Sequence, residues 1–143
     1  MKKISTLILL TLFSFINSCD KDETQNADLI VGRWEYSAQY KNDTDITINE
    51  CRPSTLEFRN NGYKNHLYYA SNISGDCVII DNINSTWVKT GPNTYEFKNN
   101  DTGYSQISTV IFENGNKRLI FQNFGMDENG DITNYKTIYT RMN

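Results

Sequence analysis

Short runs in which aromatic and polar residues alternate, cut at near-regular intervals by Asn, Gly and Asp, fill residues 30–141 of this chain. A period of two puts one face of each run in a core and the other in water, which is the pattern of half-buried β-strands and not of helices. Residues 30–40 set it out: Trp34, Tyr36, Ala38 and Tyr40 alternate with Arg33, Glu35, Ser37 and Gln39. Residues 55–59 place Leu56 and Phe58 on one face, and residues 63–70 place Leu67 and Tyr69 inward. A short apolar run, Val78-Ile79-Ile80, follows Cys77, and then come residues 85–90 with Trp87 and 94–98 with Tyr95 and Phe97. Residues 105–112, 117–123 and 132–141 complete the row. Asn60-Asn61-Gly62 and Gly91-Pro92-Asn93 are turn sequences, because Asn and Gly tolerate positive φ and proline suits a turn. About eight strands with turns at this spacing predict an all-β, eight-stranded antiparallel up-and-down barrel. Closure removes exposed sheet edges, and an interior of this size is either packed solid or holds one small ligand.

Ahead of the strands, Lys2 and Lys3 precede an apolar stretch at residues 7–16, which ends in Ile16-Asn17-Ser18-Cys19. A positive start, a short apolar core and a small residue mark an export signal. Its end resembles a bacterial lipobox, in which the cysteine is acylated and becomes the first mature residue. The resemblance implies a signal peptide at residues 1–18, a lipidated acidic linker at 19–28 and a barrel domain at 29–143. The protein would then be tethered to a membrane through Cys19 without spanning it. Asp20-Lys21-Asp22-Glu23 is similar to the signal that sends some Gram-negative lipoproteins to the cell surface. The expected address is therefore the bacterial outer membrane, surface-exposed, with its periplasmic face as the alternative.

Charge and cysteines narrow the partners. The full chain carries a net charge of -3 and becomes two units more negative without Lys2 and Lys3. No Lys/Arg cluster offers a footprint for nucleic acid. With Cys19 acylated, Cys51 and Cys77 remain as a pair in an oxidising compartment, where a disulfide persists. A metal site or a catalytic thiol competes with that reading, but two cysteines and one distant histidine, His66, make a poor zinc set.

The strand row, taken with Leu29-Ile30-Val31-Gly32-Arg33-Trp34, resembles the lipocalin-like domain of small bacterial lipoproteins. Cys51 ahead of Leu56-Glu57-Phe58, then Asn61-Gly62-Tyr63, Cys77 and Trp87, continue the likeness, which covers residues 29–140. The resemblance implies that Trp34 plugs the closed end of the barrel and that Gly32 permits close backbone approach. It implies a small hydrophobic ligand, held in a pocket for which Tyr36, Phe58, Leu67, Trp87 and Phe97 are the candidates. Two features of eukaryotic lipocalins are not apparent: a C-terminal helix and an arginine partner for Trp34.

No phosphate loop, nucleophile elbow or His-Glu-x-x-His motif is present, and neither catalysis nor a cofactor is expected. His66, between Lys64 and Tyr68 on a strand, reads as a surface or rim residue. Asp127-Glu128-Asn129-Gly130-Asp131 has acids and a glycine but lacks the closing Glu of a calcium loop, so it reads as a polar turn. The alternative to a ligand-holding barrel is a packed one acting through its surface. Exposed tyrosines and the loops at 42–49, 71–76 and 127–131 would then contact protein or carbohydrate.

Overall fold

The computed structural model describes residues 27–48, 51–126 and 128–143. The expected signal peptide and acylated Cys19 lie outside these residues, as does Asp127. The strands are β1 (Gly32–Lys41), β2 (Thr44–Asp45), β3 (Thr55–Phe58), β4 (Tyr63–Ser71), β5 (Cys77–Gly91), β6 (Thr94–Asn99), β7 (Ser105–Glu113), β8 (Arg118–Met126) and β9 (Ile132–Arg141). Each pairs antiparallel with its neighbour, and β1 also pairs with β9, so the sheet closes on itself. The result is an eight-stranded up-and-down barrel, with β2 a two-residue extension folded back on β1. Among the described residues no helix is long and apolar enough to cross a membrane.

Antiparallel order gives the barrel two distinct ends. The chain enters at Gly32 and leaves at Arg141 on the same end, where the β3–β4, β5–β6 and β7–β8 turns also lie. This end is filled: Trp34, Leu56, Phe58, Tyr95, Val110 and Leu119 are buried in one cluster. Phe58 stands at its centre, with ring centroids 6.1 Å from Trp87, 6.0 Å from Phe97 and 6.4 Å from Phe121. Tilted and edge-on contacts at these separations suit the quadrupoles of aromatic rings.

Trp34 is fully buried and its indole N–H donates to Ile30 O at 2.8 Å. It does have an arginine partner, contrary to the sequence expectation. The Arg141 guanidinium lies 4.1 Å from the Trp34 ring centroid and donates to Val31 O at 2.9 Å, Leu29 O at 2.6 Å and Asn116 O at 3.0 Å. One cation thus sits over the plug and ties chain entry, chain exit and the β7–β8 turn together. Gly32 makes room for it. With φ at +138°, a Cβ here would stand 2.5 Å from Arg141 Nη1. A second tie uses Asp28, which accepts from Tyr95 Oη at 2.5 Å and pairs with Lys89 at 2.9 Å.

Three local departures from strict alternation matter at the other end. β1 carries a bulge between Tyr36 and Ala38. An extra residue reverses the faces beyond it, so Gln39 turns inward in place of Ala38 and Tyr40. β4 turns Lys64, His66 and Tyr68 inward, which places Leu67 and Tyr69 on the opposite face and reverses the expectation for that strand. Tyr69 is buried under the Arg52 guanidinium, 4.8 Å from its ring. Finally, β5 is one 15-residue strand and not two short runs. It pairs with β4 along the whole length of the latter, with a shift between Tyr68 and Tyr69.

β3 is short, and its pairing with β1 stops at Thr55. Toward the mouth the described parts of the β2–β3 connection cover the gap this leaves between β1 and β4: residues 46–48 hydrogen-bond along β1, and Ser54 O accepts from the Tyr36 amide. Cys51 and Cys77 form a disulfide that fastens this connection to the start of β5.

Candidate functional site: a polar hollow over an aromatic floor

The barrel is solid at its closed end and hollow toward its mouth. Two adjoining lobes, of about 210 and 220 Å³, share His66, Tyr68, Thr137 and Tyr139 in their walls. The outer lobe lies beside Ile48 and Ser54 of the β2–β3 connection, with Tyr36 and Gln39 of β1. The inner one reaches Leu56, Lys64, Phe97, Gln106, Ser108, Phe121 and Asn123. Its floor is the top of the aromatic cluster, with Phe97 and Phe121 5.5 Å apart and edge-on. Tyr139 meets Phe121 edge-on at 5.8 Å and Tyr36 at 6.0 Å, linking the floor to the outer lobe.

The five residues proposed for a pocket separate in the structure. Tyr36 lines the outer lobe and Phe97 the inner one. Phe58 lies in the buried cluster beneath the floor. Trp87 packs edge-on against Phe58, and its N–H donates to Arg59 O and Tyr63 O, both at 3.2 Å. It borders a shallow groove between Val88, Glu96 and Lys98 instead of the hollow. Leu67 lines neither lobe, since its neighbours His66 and Tyr68 take the inward positions. Trp34 and Gly32 stand at the closed end, as described above.

What sequence reasoning missed is the polarity of the hollow. His66 is not at the surface or the rim: it is 7% exposed and lies inside, its ring 3.8 Å from that of Tyr68. Burial, and then the neighbouring Lys64 charge, hold its pKa down to about 3, so the imidazole is neutral. Lys64 opposes Phe58 across the ladder, and its ammonium lies 5.2 Å from the Phe97 ring centroid. Burial brings its pKa down to about 8, because a cation loses hydration that nothing nearby replaces. None of the described side chains lining either lobe is a carboxylate. His66 Nε2 and Asn123 Oδ1 are buried in the inner lobe without a hydrogen-bond partner among the described residues. Buried polar atoms are nearly always satisfied, so orphaned ones in a hollow mark where a guest or ordered water belongs. The only trace in the sequence is Lys64-Asn65-His66-Leu67-Tyr68, where three polar residues in succession blur the alternation seen in the other strands. The composition of the two faces alone does not reveal which one turns in.

No family model matches the chain, and no curated protein does. Three solved structures follow a similar course. Aphrodisin, a sex pheromone from female hamster, is 18% identical, covering 78% of this chain and 74% of that one at a TM-score of 0.43. Bovine odorant binding protein in complex with a selenium-containing odorant is 15% identical over 82% and 75%, at 0.46. Lobster apocrustacyanin A1 is 13% identical over 84% and 64%, at 0.47. What this barrel can hold follows from its own interior.

Proposed function

We propose that this protein is a binding barrel that takes up a small, largely apolar molecule through its open end and performs no chemistry on it. One observation carries the reading: a hollow with an aromatic floor and walls that carry many inward polar groups sits on a tightly packed base. Small-molecule sites are concave, with apolar surface to bury the guest and polar groups to orient it. Each lobe is smaller than the roughly 300 Å³ at which drug-sized sites begin, so the guest is small.

Export and anchoring belong to the same reading. The Ile16-Asn17-Ser18-Cys19 sequence supports acylation of Cys19, and Asp20-Lys21-Asp22-Glu23 supports an outer-membrane, surface-facing address. Incorporation of labelled palmitate that is abolished by Cys19→Ser, with protease access to intact cells, tests both parts.

A second reading has its own support. Ile73, Ile79 and Ile80 are exposed around the β4–β5 hairpin, and such a patch suits a barrel acting through its outer surface. Native mass spectrometry separates the two. The full chain is produced with Cys19→Ser so that no acyl chain competes for the hollow, and it is incubated with an envelope extract. A discrete bound mass, lost when Phe97 is changed to Asp, supports the binding barrel. No adduct across a broad extract would move the function to the outer surface.

A further inference from the structure

The inner lobe contains an amine that the fold does nothing to neutralise. Lys64 faces inward from β4, next to Phe58 in register and therefore near the floor rather than the mouth. Among the described residues its ammonium has no hydrogen-bond or ion-pair partner, only the face of Phe97. Of the described acids, Asp81 on β5 stands opposite Tyr68, four positions along β4 toward the mouth from Lys64, and is exposed, while three others are engaged elsewhere. Glu57 pairs with Arg59 at 3.0 Å on the outside of the wall, and Glu96 accepts from Ser105 there. Asp28 is held by Lys89 and Tyr95 at the closed end. The lining from β1, β3, β6, β7, β8 and β9 is Tyr, Gln, Leu, Phe, Ser, Asn and Thr. Beside Lys64, the neutral imidazole of His66 offers a buried Nε2 that nothing engages.

Lys64 is half-buried and unpaired; a cation held so in a hollow is costly, and its retention is explained by a counter-charge that arrives from outside. We propose that the floor of the hollow is a carboxylate seat, where Lys64 and His66 Nε2 receive the head of an amphipathic organic acid. The inference rests on the reading of the barrel as a binding protein and names the class of its guest. The acid enters head first. Its carboxylate pairs with the Lys64 ammonium and accepts from His66 when the imidazole proton is on Nε2. Its apolar body lies against Phe97, Phe121 and Tyr139 and points toward the mouth. Neutral apolar molecules of the same length fit the same space but leave the ammonium unpaired, so the hollow discriminates by charge at its deepest point.

Charge also sets the pH window. The titratable groups that line the same lobe are His66 and Tyr68 on its own strand and Tyr139 on β9, and β5 sets the uncharged Ser85 opposite it. His66 stays neutral down to about pH 3. Preference for the acid therefore persists from neutral pH upward until the Lys64 ammonium is lost. With a carboxylate beside it, that happens above its ligand-free value of about 8.

The test compares decanoate with decanol, which share a chain and differ in head charge. Both are titrated by calorimetry at pH 7 into the full chain carrying Cys19→Ser, and then into the same chain with Lys64→Met. The expected result is at least tenfold tighter binding of decanoate to the unmodified hollow. Lys64→Met brings the ratio to about one without weakening decanol. Lys64→Gln serves the same purpose if the methionine variant fails to fold. Equal affinity of the two probes in the unmodified hollow, or a preference that survives Lys64→Met, overturns the carboxylate seat and leaves the binding barrel standing. Failure of both probes to bind overturns the binding reading together with the seat.

Discussion

The two halves of the barrel handle polar groups in opposite ways. At the closed end the polar groups around the Trp34 plug and Tyr95 are spoken for. Trp34 donates to Ile30 O, Tyr95 to Asp28, and Arg141 to three carbonyls. At the open end Lys64, His66 Nε2 and Asn123 Oδ1 are turned inward and left without partners among the described residues. A satisfied buried network stabilises, while an unsatisfied one costs free energy of folding. The contrast teaches that the closed half is built for stability and that the open half gives some of it up, as the proposed guest would require. Substitutions in the two halves should therefore differ in sign as well as in size.

The largest effect is expected at the plug. Trp34→Ala empties a fully buried site beneath Arg141 and should cost about 3–5 kcal/mol. Urea unfolding followed by circular dichroism reads the loss. A cost below about 1 kcal/mol would mean that the closed half is not the stabilising half. Next comes the strap beside the hollow. Cys51 and Cys77 are 26 residues apart, and removing their disulfide should cost about 3.5 kcal/mol in the chain-entropy model. Because the bond secures the β2–β3 connection beside the outer lobe, hydrogen exchange should rise there and at the start of β5. Exchange at Trp34 and Tyr95 should hardly change. Uniform acceleration would show that the halves do not open separately.

The first of these halves was much more legible in the sequence than the second. Period-two alternation located the strands, because burial of large aromatic side chains dominates there; Asn, Gly and Pro marked the turns, and only the family resemblance pointed to Trp34 as a plug. The hollow escaped for two physical reasons. A bulge in β1 reverses the faces beyond Tyr36 and brings Gln39 in, and no local residue pattern announces it. On β4 an apolar set, Leu67 and Tyr69, and a polar set, Lys64 and His66, compete for the interior. The expectation that apolar residues win holds where the interior must be packed and fails where it must bind. Arg141 was missed differently. It meets Trp34 only because the last strand closes on the first, a contact between opposite ends of the barrel chain.

In the open half the sign should reverse. Lys64→Met removes a half-buried, unpaired cation and should stabilise the ligand-free protein at pH 7 by roughly 2–3 kcal/mol. The pH dependence identifies the cause. The folded-state pKa of about 8 lies below the ordinary lysine value of 10.5. Below pH 8 the lysine is charged in both states, and the fold bears the full cost of burying it. Between pH 8 and 10.5 the folded protein has lost a proton that the unfolded chain still holds, so stability rises with pH and the advantage of the methionine disappears. Stability that stays flat across that window would mean that Lys64 reaches solvent. His66 gives an acid counterpart: below the ordinary histidine value of 6.5 the unfolded chain takes up a proton that the fold refuses until about pH 3, so stability falls across that interval.

Tyr95→Phe is the smallest change and the sharpest control, because it removes a polar atom from the closed half without altering its packing. The hydroxyl donates to Asp28 at 2.5 Å while the ring stays in the cluster. Burial alone would raise the Asp28 carboxyl. The hydrogen bonds from Tyr95, Lys89 and the Ile30 amide, together with the Lys89 charge, outweigh it and hold the group below its usual value of 3.8. A carboxylate with a depressed folded-state pKa stabilises fully above its unfolded value, and that contribution is lost as pH falls through the folded one. Removing the Tyr95 donor should therefore cost about 1 kcal/mol at pH 7 and progressively less below pH 3.8. That window sits at the lower edge of the one assigned to His66, so the two are told apart by which variant removes which slope. If Tyr95→Phe instead stabilised the protein as Lys64→Met is expected to, the two ends would obey one rule, and the hollow would lose its claim to be built differently from the base.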